Sequence, residues 1–212
     1  MALSRQDGLL DAAAHLVVED GFDAVSLTRI AVQAGVSTDE LLEVFGSLEA
    51  LLVELLNREF MALWTELLDH IERDPRGGLL SRIYRYTLPA LYERPLVRAL
   101  YLSDRDGLNT IVRATHGFPF APRYGLRAEF IRRMQELGMV RPEVDAENLS
   151  AVLAAVAAGA AVTAPHVQLD DVNEGLFELL TLAADAAVSD TTPGKTAFVE
   201  FALSLASPDT GH

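Results

Sequence analysis

Arg5, Thr28, Arg29, Ser37 and Thr38 are the side chains of the first forty residues best placed to donate hydrogen bonds to an anion such as phosphate. They are few. Residues 1–60 hold three arginines and eleven carboxylates, a net charge of −8, and the whole chain of 212 residues stands at −14. Sixteen of the seventeen basic residues are arginine, and Lys195 is the one lysine. A polyanion is repelled by such a chain unless the contacting face is locally basic. Covalent and metal chemistry find little material. There is no cysteine, no glycine-rich phosphate loop and no His-Glu-x-x-His, and the histidines are scattered at 15, 70, 116, 166 and 212. Asp69 and His70 are adjacent, but neighbours on a helix point about 100° apart. These residues predict a protein that is not an enzyme, with no cofactor and no metal.

The elements that position these residues read as helices throughout. Leu9, Ala13 and Leu16 recur at helical spacing with Val17 beside them, and Gly21 stops that helix. Ser26 is placed to cap "LTRIAVQAG". Ser37 is placed to cap "TDELLEVFG", with Glu40 completing a capping box. Ser47 is placed to cap a long helix that ends near "DPRGG". Beyond it, "LLSRIYRYTLPALYER" carries Pro89 inside and breaks at Pro95. "PLVRALYLSD" and "DGLNTIVRAT" read as short helices around a loop, "HGFPFAPRYG". Four more follow: "LRAEFIRRMQELG", "AENLSAVLAAVAAGAAVTA", "DDVNEGLFELLTLAADAAV" and "KTAFVEFALSLA". No run alternates as a strand does, so the expected class is all-α, with about nine to eleven helices. The uncharged run Asn148 to Leu169 is mostly alanine and suits a buried helix better than a bilayer span. The N-terminus lacks the basic region of a signal peptide, and the expected location is the cytoplasm, with no membrane contact.

The first sixty residues resemble the TetR family of bacterial transcriptional regulators. The resemblance rests on "LLDAAAHLVVEDGFDAVSLTRIAVQAGVS" and "LLEVFGSLEALLVELL": an Ala-rich first helix, the Gly21-Phe22 turn, a Ser cap, Ile30-Ala31, Ala34-Gly35-Val36-Ser37, Phe45 and Leu51. It implies a three-helix helix-turn-helix module, residues 1–46, joined to a larger helical domain, residues 47–212, that binds a small molecule and dimerises. It also implies which positions approach DNA: Arg5, Thr28, Arg29, Ser37, Thr38, Asp39, Leu42 and Leu48.

At those positions the sequence departs from the family. Leu42 stands where a tyrosine usually reaches a phosphate, and Leu48 where a lysine opens the scaffold helix. Thr38 and Asp39 stand where a basic residue and glycine are common. The apolar residues of the motif are kept, and the polar grip is not. Asp39 and Glu43 share a helix face, while Glu40 lies about 100° away. The expected function is therefore a small-molecule-sensing regulator with a degenerate helix-turn-helix, whose DNA binding is weak, atypical or absent. The alternative is a co-regulator or ligand carrier acting through a protein partner.

For the larger domain the resemblance implies a pocket for an unidentified effector. Its candidate lining is Trp64, Leu68, Tyr86, Leu91, Tyr101, Phe118, Phe130 and Met134, each of which also suits plain core packing. Arg98, Arg105, Arg113, Arg132 and Arg133 are candidates to attract an anionic ligand, or are ordinary surface arginines. Ala151, Ala155 and Gly159 lie four apart and present a face without bulk. With Leu176 and Leu180 they are the candidate homodimer interface, the other reading being that the same face packs inside one subunit.

Overall fold

The computed structural model describes residues 5–96, 124–163 and 169–206. Among these the chain forms nine α-helices: α1 (Arg5–Asp20), α2 (Leu27–Ala34), α3 (Thr38–Phe45), α4 (Leu48–Arg73), α5 (Leu80–Glu93), α6 (Tyr124–Glu136), α7 (Ala146–Thr163), α8 (Leu169–Ala183) and α9 (Thr192–Ala206). A short 3-10 turn, Phe22–Ala24, joins α1 to α2. "PLVRALYLSD" falls, from residue 97 onward, outside the described residues, as does all of "DGLNTIVRAT" and most of "HGFPFAPRYG".

The caps form where the sequence places them. Ser26 Oγ accepts from the Arg29 N–H at 3.4 Å, and Ser47 Oγ from the Ala50 N–H at 3.1 Å. At α3 the box is complete: Ser37 Oγ accepts from the Glu40 N–H at 3.2 Å, and Glu40 accepts from the Ser37 N–H at 2.9 Å. Gly35 ends α2 in the left-handed region, φ 69°, which a side chain would strain. The tight three-residue link between α2 and α3 depends on it.

The chain divides into two compact units. The first holds the N-terminal residues to Met61, the second Ala62–Arg94 and the described residues from 124 onward. The sequence reading drew a boundary at 46/47, whereas the first unit takes in the opening turns of α4. The cause is burial. Leu51, Leu52, Leu55 and Leu56 of α4 pack with Ala13, Val17, Ile30 and Leu41 into one core, all but shielded from solvent. Three short helices bury too little apolar surface to stand alone.

In the second unit α5 packs on α8, α6 on α7 and α9, and α5 also on α7. Leu63, Leu67 and Ile71 of α4 are buried there. One end is stapled by backbone. A Cβ on Gly78 would lie 1.8 Å from the Thr191 carbonyl oxygen, and one on Gly194 would lie 2.0 Å from that of Gly78. Lys195 Nζ donates to the Glu72 carbonyl at 2.6 Å, satisfying the C-terminal end of α4.

One helix is shorter than its sequence pattern predicts. The pattern of α8 runs on to Val188, but the helix ends at Ala183. Asp185 instead pairs in an isolated antiparallel bridge with Val140. Its buried carboxylate accepts from the Ser81 N–H at 3.1 Å and from the Ser81 hydroxyl. The Arg141 N–H reaches the Ala184 carbonyl at 2.9 Å, and the Ala186 N–H reaches that of Met139 at 3.0 Å. These partners from outside the helix replace the intrahelical ladder. At the other end, α9 starts at Thr192, three residues before the expected Lys195, with Asp190 accepting from the Thr192 N–H at 2.9 Å.

Candidate functional site

The first candidate site is the outer surface of α2 and α3. The capping box accounts for Glu40, which turns back onto Ser37 and leaves Asp39 and Glu43 exposed on one helix face. The Glu40 carboxyl is held below the usual glutamate range, chiefly by the Ser37 N–H, then by the Ser37 hydroxyl and Arg5. Leu42 and Leu48 are half-buried, and Thr38 is partly covered. Val32 on α2 is 77% exposed and Val44 on α3 is 38% exposed.

Among the described residues, the three arginines of this unit each meet a carboxylate of the same unit. Arg5 meets Glu40 at 2.7 Å. Arg29 pairs with Asp20 and donates to the Ala24 carbonyl at 2.9 Å. Arg58 pairs with Asp11 at 2.9 Å. Sequence alone named Arg5 and Arg29 as phosphate donors, and spacing could not reveal these pairs: Arg5 and Glu40 are thirty-five residues apart. Ser37 is likewise committed to its cap. Thr28 is exposed.

The second candidate site is the aromatic centre of the second unit. Trp64 on α4 lies 5.7 Å, ring centre to ring centre, from Phe198 on α9. Phe198 meets Phe130 of α6 at 6.2 Å edge-on, and Phe130 meets Phe201 of α9 at 4.8 Å. Met134 is fully buried one turn after Phe130. Of the expected lining, Trp64 and Phe130 thus converge, joined by Phe198 and Phe201. Those two were missed, although aromatics three apart in "FVEF" mark one helix face.

Other expected lining residues do not join this cluster in the way foreseen. Tyr86 belongs to a polar corner. Its hydroxyl donates to Asp74 at 2.8 Å and its ring stacks on His70 at 5.4 Å. Burial, helped by Asp74, pushes its pKa up. Leu68 is half-buried on α4. Tyr101, Phe118 and the Leu91 side chain lie outside the described residues, as do Arg98, Arg105 and Arg113. Arg132 pairs with Glu147, and Arg133 with Glu136 at 3.1 Å. Asp69 pairs with Arg73 at 2.8 Å while its neighbour His70 stacks on Tyr86, so the adjacent pair forms no dyad.

The third candidate site is the outer face of α7 and α8. Ala151, Ala155 and Gly159 are exposed, and a Cβ on Gly159 would meet nothing within 4 Å. The inner face of α7 is a different set: Ala146, Ser150, Leu153, Ala157 and Ala160. Leu176 and Leu180, expected to face a partner, are buried inside this unit, because that side of α8 packs on α5. The exposed apolar residues of α8 are Leu179 at 65% and Leu182 at 72%. An open groove of about 310 Å³ lies elsewhere, between the end of α6 and the start of α9, beside Arg133, Leu137, Asp190 and Thr192. No helix among the described residues is long and apolar enough to cross a membrane.

Comparison with known proteins matches residues 9–55 to the family described as bacterial regulatory proteins, tetR family. No curated protein matches the chain. Among solved structures, the SmeT–triclosan complex superposes with a TM-score of 0.65 at 19% identity, covering 88% of this chain and 94% of that one. The ketosteroid transcriptional regulator KstR2 of Mycobacterium tuberculosis gives 0.62 at 17% identity, covering 87% and 97%. NalD, the secondary repressor of the MexAB-OprM multidrug efflux pump in Pseudomonas aeruginosa, gives 0.60 at 20% identity, covering 87% and 97%. At these identities the superpositions speak to the fold, which is all-α with an N-terminal helix-turn-helix and a larger helical part. The N-terminal module thus matches the family of bacterial regulatory proteins, tetR family, over residues 9–55, and the fold of the chain is similar to that of the solved regulators.

Proposed function

We propose that this protein is a homodimeric transcriptional regulator that senses a small molecule and whose head grips DNA weakly or not at all through phosphate contacts. The observation that carries the reading is the engagement of Arg5, Arg29 and Arg58 by carboxylates of the head itself. Neutralising phosphates releases counterions, and this supplies most non-specific affinity. The carboxylates beside Arg5 and Arg29 offset the arginine charge that a phosphate would meet, and Asp39 and Glu43 would face the same polyanion. Small-molecule sensing is supported by the aromatic centre of the second unit and by the triclosan bound in SmeT. Dimerisation is supported by the open face of α7 and the exposed Leu179 and Leu182 of α8.

A labelled duplex taken from upstream of the protein's own gene, titrated in a polarisation assay at several salt concentrations, tests the DNA reading. The expected dissociation constant is in the non-specific range, about 10⁻⁶ to 10⁻⁴ M at physiological salt. Nanomolar, sequence-specific binding with a steep salt slope overturns it. The exposure of Val32 on α2 and of Val44 on α3 favours a second reading, a head that docks on another protein. Full regulation in cells by a variant with the α3 surface unchanged, but with no measurable DNA binding, distinguishes that reading from the first.

A further inference from the structure

The open groove on the surface of the second unit has walls of opposite charge. Arg133 of α6 lines one side, and Asp190 and Glu200, before and within α9, line the other. Between them the groove is apolar, with Leu137, Pro193 and Ala197. Its volume of about 310 Å³ sits at the lower end of the range for small-molecule sites. The charges do not quench one another across it. Among the described residues Glu200 makes no ion pair or hydrogen bond, although Arg133 lines the same groove. Arg133 meets only Glu136 of its own helix, at 3.1 Å, with both side chains more than half exposed. Such a surface pair is worth little, so the guanidinium is released at small cost. The Thr192 N–H, and then its side chain, holds the Asp190 carboxyl below the usual aspartate range, which keeps it charged.

We infer that this groove binds a free α-amino acid with an apolar side chain, its carboxylate on Arg133, its ammonium on Glu200 and its side chain on Leu137, Pro193 and Ala197. The site is separate from the aromatic centre of the unit and depends neither on the DNA reading nor on what that centre binds. A plain anion would meet Arg133 but also two carboxylates. A plain cation would meet the carboxylates and leave Arg133 unanswered. A zwitterion answers both walls at once, and its apolar side chain covers the surface between them. Planar Arg–carboxylate pairing fixes one end of the ligand, and the ammonium, a compact charge with three donors, suits the other.

Three probes of one carbon skeleton separate the charges: L-leucine, 3-methylbutylamine, which lacks the carboxylate, and 4-methylpentanoate, which lacks the ammonium. Each is titrated into the intact protein at low salt and followed by ¹H–¹⁵N spectra. Leucine is expected to bind with a dissociation constant of about 1 mM, as suits an open groove, and to move the amides of Leu137, Thr196 and Ala197. Each singly charged probe is expected to bind about tenfold more weakly, the worth of one charge-assisted hydrogen bond in partial contact with water. Glu200→Gln is expected to reduce leucine to the level of the acid, and Arg133→Gln to that of the amine. Both side chains are exposed, so both variants keep the fold. Equal binding of the three probes, leucine affinity unchanged in both variants, or no movement of these amides at 10 mM leucine overturns the inference. If another metabolite raises the melting temperature while these amides stay still, the sensing reading survives and this inference alone is lost.

Discussion

Two carboxylates show how much a single residue can carry, and their pH signatures run in opposite directions. Glu40 is exposed and held below its ordinary pKa, first by the Ser37 N–H. Its bonds therefore stabilise the fold above the ordinary glutamate pKa, and that contribution is lost as pH falls through the lowered value. Asp185 is buried, and burial raises its pKa despite both donors of Ser81. Its titration favours the folded state below the ordinary aspartate pKa, and the advantage is lost as pH rises through the raised value. Thermal unfolding of Glu40→Gln and Asp185→Asn against the parent is expected to show the difference. The gap for Glu40→Gln is widest at neutral pH and closes on acidification. Relative to Asp185→Asn, the parent gains stability as the pH is lowered toward 4. The same slope for both variants would falsify this assignment. Ser37→Ala, which removes the cap without touching a charge, is expected to cost about 1 kcal/mol. Ser37, Glu40 and their spacing were legible in the sequence. The burial of Asp185 was not, because the partner that claims it lies 104 residues away.

At the scale of elements, helix α3 separates what specifies a fold from what specifies a grip. Leu41 is wholly buried and Phe45 packs against the same core, while Asp39 and Glu43 face outward. Local signals, namely cap residues, apolar spacing and stop glycines, fixed α1 to α4 almost to the residue. They failed at the end of α8, where the apolar pattern continues but the backbone leaves the helix for partners on Met139, Val140 and Arg141. They also could not show that Arg5, Arg29 and Arg58 each meet a carboxylate of the same unit. The charge reading of this surface is testable by adding a cation at the edge of the core, where Leu48 is only half-buried. Leu48→Lys combined with Asp20→Asn adds one cation and releases Arg29 from its carboxylate. Non-specific DNA affinity is expected to rise, with the salt slope steepening by about one for each phosphate newly contacted. Circular dichroism is expected to be unchanged. If the slope does not move, the weakness of the grip lies outside these charges.

At the scale of the whole molecule, the question is which apolar residues belong to one chain and which to two. Spacing put Ala151, Ala155 and Gly159 on one face, and the family resemblance joined Leu176 and Leu180 of the next helix to them as one interface. Packing divides them: α5 covers Leu176 and Leu180, whereas Leu179 and Leu182 stay exposed beside them on α8. A helix of period 3.6 turns residues 179 and 180 about 100° apart, so one faces the core and its neighbour does not. The two positions should therefore fail in different ways. Leu180→Ala removes buried volume and is expected to cost about 2–5 kcal/mol of stability, with the surviving folded protein still dimeric. Leu179→Glu with Leu182→Glu places charge on the open face. It is expected to leave the subunit folded, by circular dichroism, while shifting sedimentation from dimer to monomer. A bulky side chain at the open glycine, Gly159→Leu, is expected to act like the charges, since a Cβ there has no neighbour within 4 Å and the added bulk holds a partner helix away. A dimer undiminished by all three exposed substitutions would mean that the subunits meet through some other surface, and that the bare face of α7 is covered by something else.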